Sequence, residues 1–169
     1  FTILNQKLIS KSITYDLFRS IVFNEKGLVD NFCGFKLLQY EDCIFNQLGK
    51  PSTRKNIESD EEYVAYKLKS ESNDANLIFR LAKLPESSDL KQVVAIQISG
   101  KTSPYSVRGI KLGSDANLLT EVFGTPSKTS TITNDYGAAI QLDYENYNVS
   151  FELNNNLITS INVFYGHIK

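Results

Sequence analysis

Two stretches of this sequence correspond at a constant spacing of 75 residues, and this correspondence constrains the fold more than any other feature. Residues 34–52 align without a gap with residues 109–127, and 6 of these 19 positions are identical. Ordinary composition gives about one identity by chance. Both stretches close with Gly-x-Pro, at Gly49 and Gly124, where a left-handed residue and a proline end a helix. The sequence therefore predicts two copies of one unit.

Each copy is predicted to contain a strand-like lead-in, a helix of about ten residues and three strands. In the second helix, Leu118, Leu119, Val122 and Phe123 recur at helical spacing behind a candidate N-cap, Ser114. The alternating apolar segments are Val64/Tyr66/Leu68, Leu77/Phe79/Leu81 and Val94/Ile96/Ile98 in the first copy, and Ile140/Leu142/Tyr144, Val149/Phe151/Leu153 and Ile161/Val163/Tyr165 in the second.

The predicted fold class is α+β, with two tandem repeats of a short helix plus antiparallel sheet and the helices packed on one sheet face. Residues 1–30 are expected to form an N-terminal helical extension, residues 31–100 the first repeat and residues 101–169 the second. A unit of this length buries little apolar surface alone, so we expect the repeats to pack together.

The repeat start also resembles a known group. Ile110-Lys111-Leu112-Gly113-Ser114, Leu118-Leu119 and Val122-Phe123-Gly124-Thr125-Pro126 are similar to the beginning of repeats in the β-lactamase-inhibitor-protein-like fold and in small outer-membrane-assembly lipoproteins. The resemblance implies a concave antiparallel sheet with helices on one face. It also implies a non-catalytic protein-binding module that is periplasmic, anchored at the outer membrane or secreted. The chain contains no Trp, on which the inhibitors' recognition surface partly relies, so β-lactamase inhibition is not carried over.

Composition excludes several classes of function. The net charge is −1 and no basic run occurs, so we expect no nucleic-acid partner. No apolar stretch approaches the roughly 18 residues of a membrane span, although a lipid anchor on a removed leader is left open. One His and two Cys exclude multi-His and four-thiolate metal sites. We expect no cofactor, no metal and no enzymatic activity.

His167, the two cysteines and an acidic run are the remaining candidates for chemistry. His167 lies near the end of the sequence and is interpreted as a solvated side chain. Cys33 and Cys43 form a possible disulfide, and the alternative makes Cys43 a small core residue because its counterpart is Leu118. The acidic run over residues 58–62 is interpreted as a solvated loop before the first long strand, since it lacks the spacing of a calcium-binding loop.

The strongest functional prediction concerns the polar side of the sheet. Residues that alternate with the apolar ones form a surface that is basic at one end and acidic or amide-rich at the other, and loop and aromatic residues adjoin it. The predicted partner-binding residues are Lys67, Arg80, Gln97, Asn134, Asp135, Tyr136, Gln141, Asp143, Tyr147, Glu152, Asn162 and Phe164. The alternative is an ordinary solvated sheet face.

We therefore expect another protein as the partner, recognised through the polar sheet face and adjoining loops. Two roles remain open: a scaffolding protein of the bacterial envelope, or an immunity or inhibitor protein that blocks one enzyme with loops such as residues 134–137. A small-ligand carrier is the competing class, and it would need an apolar interior that the helices leave unfilled.

Overall fold

The computed structural model describes residues 28–85, 89–134 and 137–166. The predicted N-terminal helix and His167 lie outside these residues, and residues 28–30 belong to no helix or strand. The helices are α1 (Glu41–Leu48) and α2 (Asn117–Phe123), and Glu145–Tyr147 forms one 3₁₀ turn. The strands are β1 (Asn31–Phe32), β2 (Phe35–Lys36), β3 (Thr53–Glu58), β4 (Glu61–Lys69), β5 (Asp74–Ala82), β6 (Gln92–Thr102), β7 (Ser106–Val107), β8 (Ile110–Lys111), β9 (Lys128–Asn134), β10 (Gly137–Tyr144), β11 (Val149–Asn154) and β12 (Leu157–Phe164).

Eight strands form one antiparallel sheet in the order β3-β4-β5-β6-β12-β11-β10-β9. The remaining strands pair as two short hairpins, β1-β2 and β7-β8, one before each helix. The two halves of the sheet meet where β6 pairs with β12, from Ser160 opposite Ser99 to Phe164 opposite Ala95. This seam makes the sheet continuous across the molecule.

The predicted fold class, tandem α+β repeats with helices packed on the sheet, is wrong. The structure is mainly β, and the described helices are only 8 and 7 residues long. They contribute three buried side chains, Ile44, Leu119 and Phe123, which is too few for a helical layer. The sequence did not predict strands β3 and β9, because they are polar strands at the two edges of the sheet. Every residue of β3 is exposed, so neither face of that strand shows apolar alternation.

The core lies on one face of the sheet. Phe79, Ile96 and Phe151 are fully buried there, and Phe35 from the first hairpin packs edge-on to Phe79 at 4.9 Å between ring centroids. The hairpin side chains, more than the helices, therefore fill the space over the first half of the sheet. Burial of this apolar surface is the main stabilising contribution to the fold.

Both helices end where the sequence predicts. Gly49 has a φ of 72° and Gly124 a φ of 77°, values that glycine adopts without steric cost. The predicted N-cap is wrong: Ala116 occupies that position, and the Ser114 hydroxyl accepts a hydrogen bond from the Lys111 amide at 3.2 Å. The helix therefore begins two residues later than a Ser114 cap would place it.

The acidic run is not a solvated loop, because Glu61 and Glu62 belong to β4 and Glu62 is only 2% exposed. The Arg54 guanidinium donates two hydrogen bonds to the Glu62 carboxylate, at 2.8 and 2.7 Å, and Lys91 lies 3.5 Å away. Burial acts to raise the pKa of Glu62, but the hydrogen bonds and charges of Arg54 and Lys91 hold that pKa below its ordinary value. Ion pairs formed in the tertiary structure therefore account for the burial of Glu62, which the sequence alone predicted to be solvated.

Candidate functional site

One face of the eight-stranded sheet, which we call the open face, lies opposite the core. Strand register brings its side chains into rows, because residues paired across antiparallel strands share a face. One row consists of Lys67, Asn76, Ser99, Ser160, Glu152 and Gln141. The next consists of Ile78, Gln97, Asn162, Ser150 and Asp143, and a third of Tyr63, Arg80, Ala95 and Phe164.

The centre of the open face holds a depression of about 270 Å³ at the seam between the two halves of the sheet. We call it the central depression. It is lined by Ile78, Arg80, Val94, Ala95, Gln97, Asn162, Phe164 and Tyr165. Four of the predicted binding residues, from both halves of the sequence, therefore converge on one place.

Arg80 is the cation of the central depression. Its Nε donates a hydrogen bond to Glu61 Oε2 at 3.0 Å, and its Nη2 donates to the same oxygen. The Arg80 side chain is 44% exposed, whereas that of Glu61 is 18% exposed. The carboxylate thus orients the guanidinium, and much of the Arg80 side chain still faces solvent. An exposed ion pair of this kind contributes only about 0–1 kcal/mol to stability.

The amide side chains beside Phe164 are held by hydrogen bonds across the strands. Gln97 Nε2 donates to Ser160 Oγ at 2.8 Å and so links β6 to β12. Asn162 Nδ2 donates to Ser150 Oγ at 3.4 Å. These hydrogen bonds hold the Gln97 and Asn162 side chains at the polar floor of the central depression. Less side-chain entropy is therefore lost when a partner binds.

The other predicted residues lie apart from the central depression. Lys67 is exposed at one end of the open face, and Gln141 donates to Asp143 at 2.7 Å at the other end, near Glu152. Tyr147 packs against the Phe123 ring of α2 at 5.4 Å, with the core side chains and away from the open face. Asp135 and Tyr136 lie outside the described residues, and of Asn134 only the backbone in β9 is described.

The two cysteines are free thiols. Cys33 is buried in the β1-β2 hairpin, and burial raises the pKa of its thiol well above the ordinary value. Cys43 is exposed on α1. The disulfide is therefore not formed in this structure, because one thiol is packed into the core while the other faces solvent. The core alternative for Cys43 is wrong for the same reason.

Sequence reasoning missed Val94, Ala95, Tyr165 and the orienting carboxylate of Glu61. The sequence placed Val94 on the core face by simple alternation. In the structure Arg80 pairs with Ala95 and Leu81 with Val93, so Val94 is an extra residue in β6, which borders the central depression while its side chain is fully buried. No local sequence signal marks this bulge, although the short side chain of Ala95 between apolar neighbours is compatible with it.

Within residues 28–85, 89–134 and 137–166, His, Cys, Asp and Glu side chains form no group of three suited to a metal ion. No helix of that same part of the chain combines the length and apolar character needed to cross a bilayer.

Comparisons with known proteins give a fold likeness but no family. Neither the protein-family models nor the curated proteins match this chain. A cysteine-rich secretory protein from Staphylococcus aureus is similar in structure, with a TM-score of 0.50 and 8% identity over 80% of this chain. An extracellular protein with an SCP domain from Bacillus anthracis has a TM-score of 0.49 and 10% identity over 76% of this chain.

The chain spans only 46% of the S. aureus protein and 43% of the B. anthracis protein. A candidate β-lactamase inhibitor protein from Streptococcus mutans has 15% identity over 73% of this chain and 80% of its own, with a TM-score of 0.29. The likeness to the inhibitor group suggested by the sequence is therefore loose. What the comparisons show is that the sheet architecture occurs in a secretory protein.

Proposed function

We propose that this chain is a non-catalytic protein-binding module of the bacterial envelope or secreted fraction, which recognises a partner protein through the open face. The central depression carries this proposal. It places an aromatic ring, an aliphatic side chain and a partly exposed guanidinium together within a polar surround. Aromatic residues and Arg are enriched where protein interfaces concentrate their binding energy.

The size of the central depression favours a side chain of a partner over a separate small molecule. Its volume of about 270 Å³ lies below the roughly 300–1,000 Å³ of pockets that enclose drug-sized ligands. An apolar side chain of the partner would rest on Ile78 and Phe164. An acidic group beside that side chain would meet the exposed part of Arg80, because opposite charges at an interface fix its register.

The chemistry of the lining supports contact and not bond making. The Arg80 guanidinium already holds the Glu61 carboxylate, and the amides of Gln97 and Asn162 hold serine hydroxyls. These groups are arranged to orient one another and to present fixed donors and acceptors. A location outside the cytoplasm is part of the proposal; it derives from the sequence resemblance and agrees with the secretory nature of the S. aureus protein that shares the fold.

The test uses the chain as bait with matched variants. Wild-type protein, Phe164→Ser, Arg80→Gln and the control Glu121→Lys are immobilised and exposed to the envelope and secreted fractions of the source organism. Glu121 is exposed on α2, away from the open face. We expect one stoichiometric partner that wild type and Glu121→Lys retain equally, and at least about tenfold weaker retention by the two open-face variants.

Melting temperatures of all four proteins provide the control for folding, and we expect Arg80→Gln to melt within a few degrees of wild type. Equal retention by the open-face variants and wild type would contradict the open face as the site. If the partner is a single enzyme that the wild-type chain inhibits, the open face remains the binding site and the inhibitor role replaces the scaffolding role.

A further inference from the structure

The two outer strands of the described sheet, β3 and β9, differ in the features that protect a strand edge against pairing with another chain. An outer strand presents a row of backbone N–H and C=O groups that can template further pairing. Over the described ranges, β3 pairs with β4 alone and β9 with β10 alone. The sequences and registers of these two strands differ in the features that discourage pairing.

Strand β3 carries those protective features. Its register shifts between Asn56 and Glu58, which interrupts the regular spacing of its outer backbone groups. Three of its six residues are charged, namely Arg54, Lys55 and Glu58. Charged side chains and bulges are the devices by which natural proteins keep outer strands from associating.

Strand β9 has neither device. Its pairing with β10 runs without a shift over seven consecutive pairs, from Lys128 opposite Asp143 to Asn134 opposite Gly137. Only Lys128, at one end, is charged. Thr129, Thr131 and Thr133 alternate along one side, and threonine is among the residues enriched in strands. The outer edge of β9 is therefore regular, uncharged along most of its length and suited to strand pairing.

We propose that β9 is a self-association edge, which pairs in antiparallel fashion with β9 of a second copy about a twofold axis at Thr131. In this register Thr129 of each copy lies opposite Thr133 of the other, a cross-strand pair that favours association. Lys128 of each copy lies opposite Asn134 of the other, so no like charges are opposed. A net charge of −1 adds little repulsion between copies.

The apolar surface next to β9 supports a second copy as the occupant. Ile140 lies directly opposite Thr131 in the register and is 46% exposed. Together with Thr131, Ala138 and Leu153 it lines a depression of about 200 Å³ on the core side of the sheet. A strand added to β9 supplies a further wall to this depression. The second copy thereby joins the two sheets into one and shelters apolar surface that the monomer leaves open.

The association is expected to be weak. One pair of seven-residue strands buries less than the roughly 1,200–2,000 Å² of a stable protein interface. Sedimentation equilibrium from about 10 µM to 1 mM should therefore show a concentration-dependent monomer–dimer equilibrium. Amide hydrogen exchange supplies a second readout, because the outward-pointing amides of β9 should become more protected as the protein concentration rises.

Charge variants at the twofold axis test the register. Thr131→Lys places two lysines opposite each other, and Thr131→Glu places two glutamates there, so each variant alone should dimerise at least about tenfold more weakly than wild type. An equimolar mixture should recover dimers, since Lys then faces Glu. Thr53→Lys in β3 is the matched control, because Thr53 is also an exposed threonine and lies on the other outer strand.

Several results would overturn the proposal: a wild-type chain that stays monomeric to about 1 mM, an equal loss of dimers in Thr53→Lys, or no recovery in the mixture. Melting curves of the single variants show whether each one is folded, and recovery in the mixture excludes misfolding as the cause of the loss, since mixing does not refold a misfolded variant. None of these results depends on the partner of the open face.

Discussion

The two halves of the sheet secure their helices by different chemistry. Beside α1, Arg54 joins Glu62 at 2.7 Å and Glu41 at 3.6 Å, and its guanidinium lies 5.1 Å from the centre of the Phe45 ring. Beside α2, the Phe123 ring lies 5.3 Å from both the Tyr144 and Phe151 rings. An ion cluster therefore lies beside α1 and an aromatic cluster beside α2, while the first half of the sheet keeps its own aromatic contact between Phe35 and Phe79.

The difference shows that the same order of elements can be stabilised by opposite kinds of interaction. Aromatic rings contribute through burial and edge-to-face contact, which depend little on pH or salt. The buried carboxylate of Glu62 contributes only while it is ionised and paired. The surroundings of α1 should therefore respond to acid, and the contacts of Phe123 in α2 to the removal of apolar volume. Three predictions separate these contributions, from the largest expected effect to the smallest.

Phe123→Ala should have the largest effect. Phe123 is 5% exposed and contacts three other rings, Tyr144, Tyr147 and Phe151. Truncation of a buried Phe costs about 3–5 kcal/mol in the free energy of unfolding, because apolar contacts are lost and a cavity remains. Phe45→Ala in α1 is the comparison variant and should cost about 1 kcal/mol, since that ring is half-buried beneath Arg54. Urea unfolding measures both values, and equal losses would contradict the comparison.

Glu62→Gln should lower the free energy of unfolding by about 2 kcal/mol at neutral pH, because a buried charged hydrogen bond is replaced by a neutral one. The pKa of Glu62 in the folded protein lies below the ordinary value of 4.5. Its contribution is thus fully present above that ordinary value and is lost as the pH falls through the folded-state pKa. The difference between wild type and variant should therefore shrink below about pH 4.5.

Urea titrations at several pH values between about 3 and 7 measure this difference. Phe123→Ala is the control, because its cost should change little over the same range. A Glu62→Gln cost that stays constant down to the lowest pH would show that the carboxylate acts by packing and not by its charge.

The helix ends should behave alike in both halves and show the smallest effects. Gly49→Ala and Gly124→Ala each force a side chain into a positive-φ conformation, at 72° and 77°, and each should cost about 1–2 kcal/mol. A Cβ at either position meets no atom within 4 Å, so the cost reflects backbone strain alone. Gly166→Ala, without that constraint, should be neutral. Thermal unfolding measures all three, and clearly unequal shifts for Gly49 and Gly124 would mean that one helix end relaxes.

Parts of the fold and of the candidate site follow from local sequence. Gly49 and Gly124 mark both helix ends, and the alternation of Ile140, Leu142 and Tyr144 agrees with the register of β10. The same alternation placed Arg80 and Phe164 on one face. The polar outer strands could not be predicted, because β3 and β9 are stabilised by backbone pairing with a neighbour and not by an apolar face of their own.

The convergence of Arg80 and Phe164 also required the tertiary structure. They are distant in the sequence and meet only because β6 pairs with β12. The position of Tyr147 among the core side chains was also decided by the tertiary structure, because its ring packs against the Phe123 ring.

The sequence by itself determined the C-terminal ends of both helices and the apolar side of most inner strands, because these depend on backbone preference and on periodicity within a few residues. The tertiary structure decided that both halves form one sheet, that Glu62 is buried against Arg54 and that an extra residue, Val94, interrupts the pairing of β5 with β6 beside the central depression. These features depend on pairing between strands far apart in the chain, and local preference does not encode such pairing.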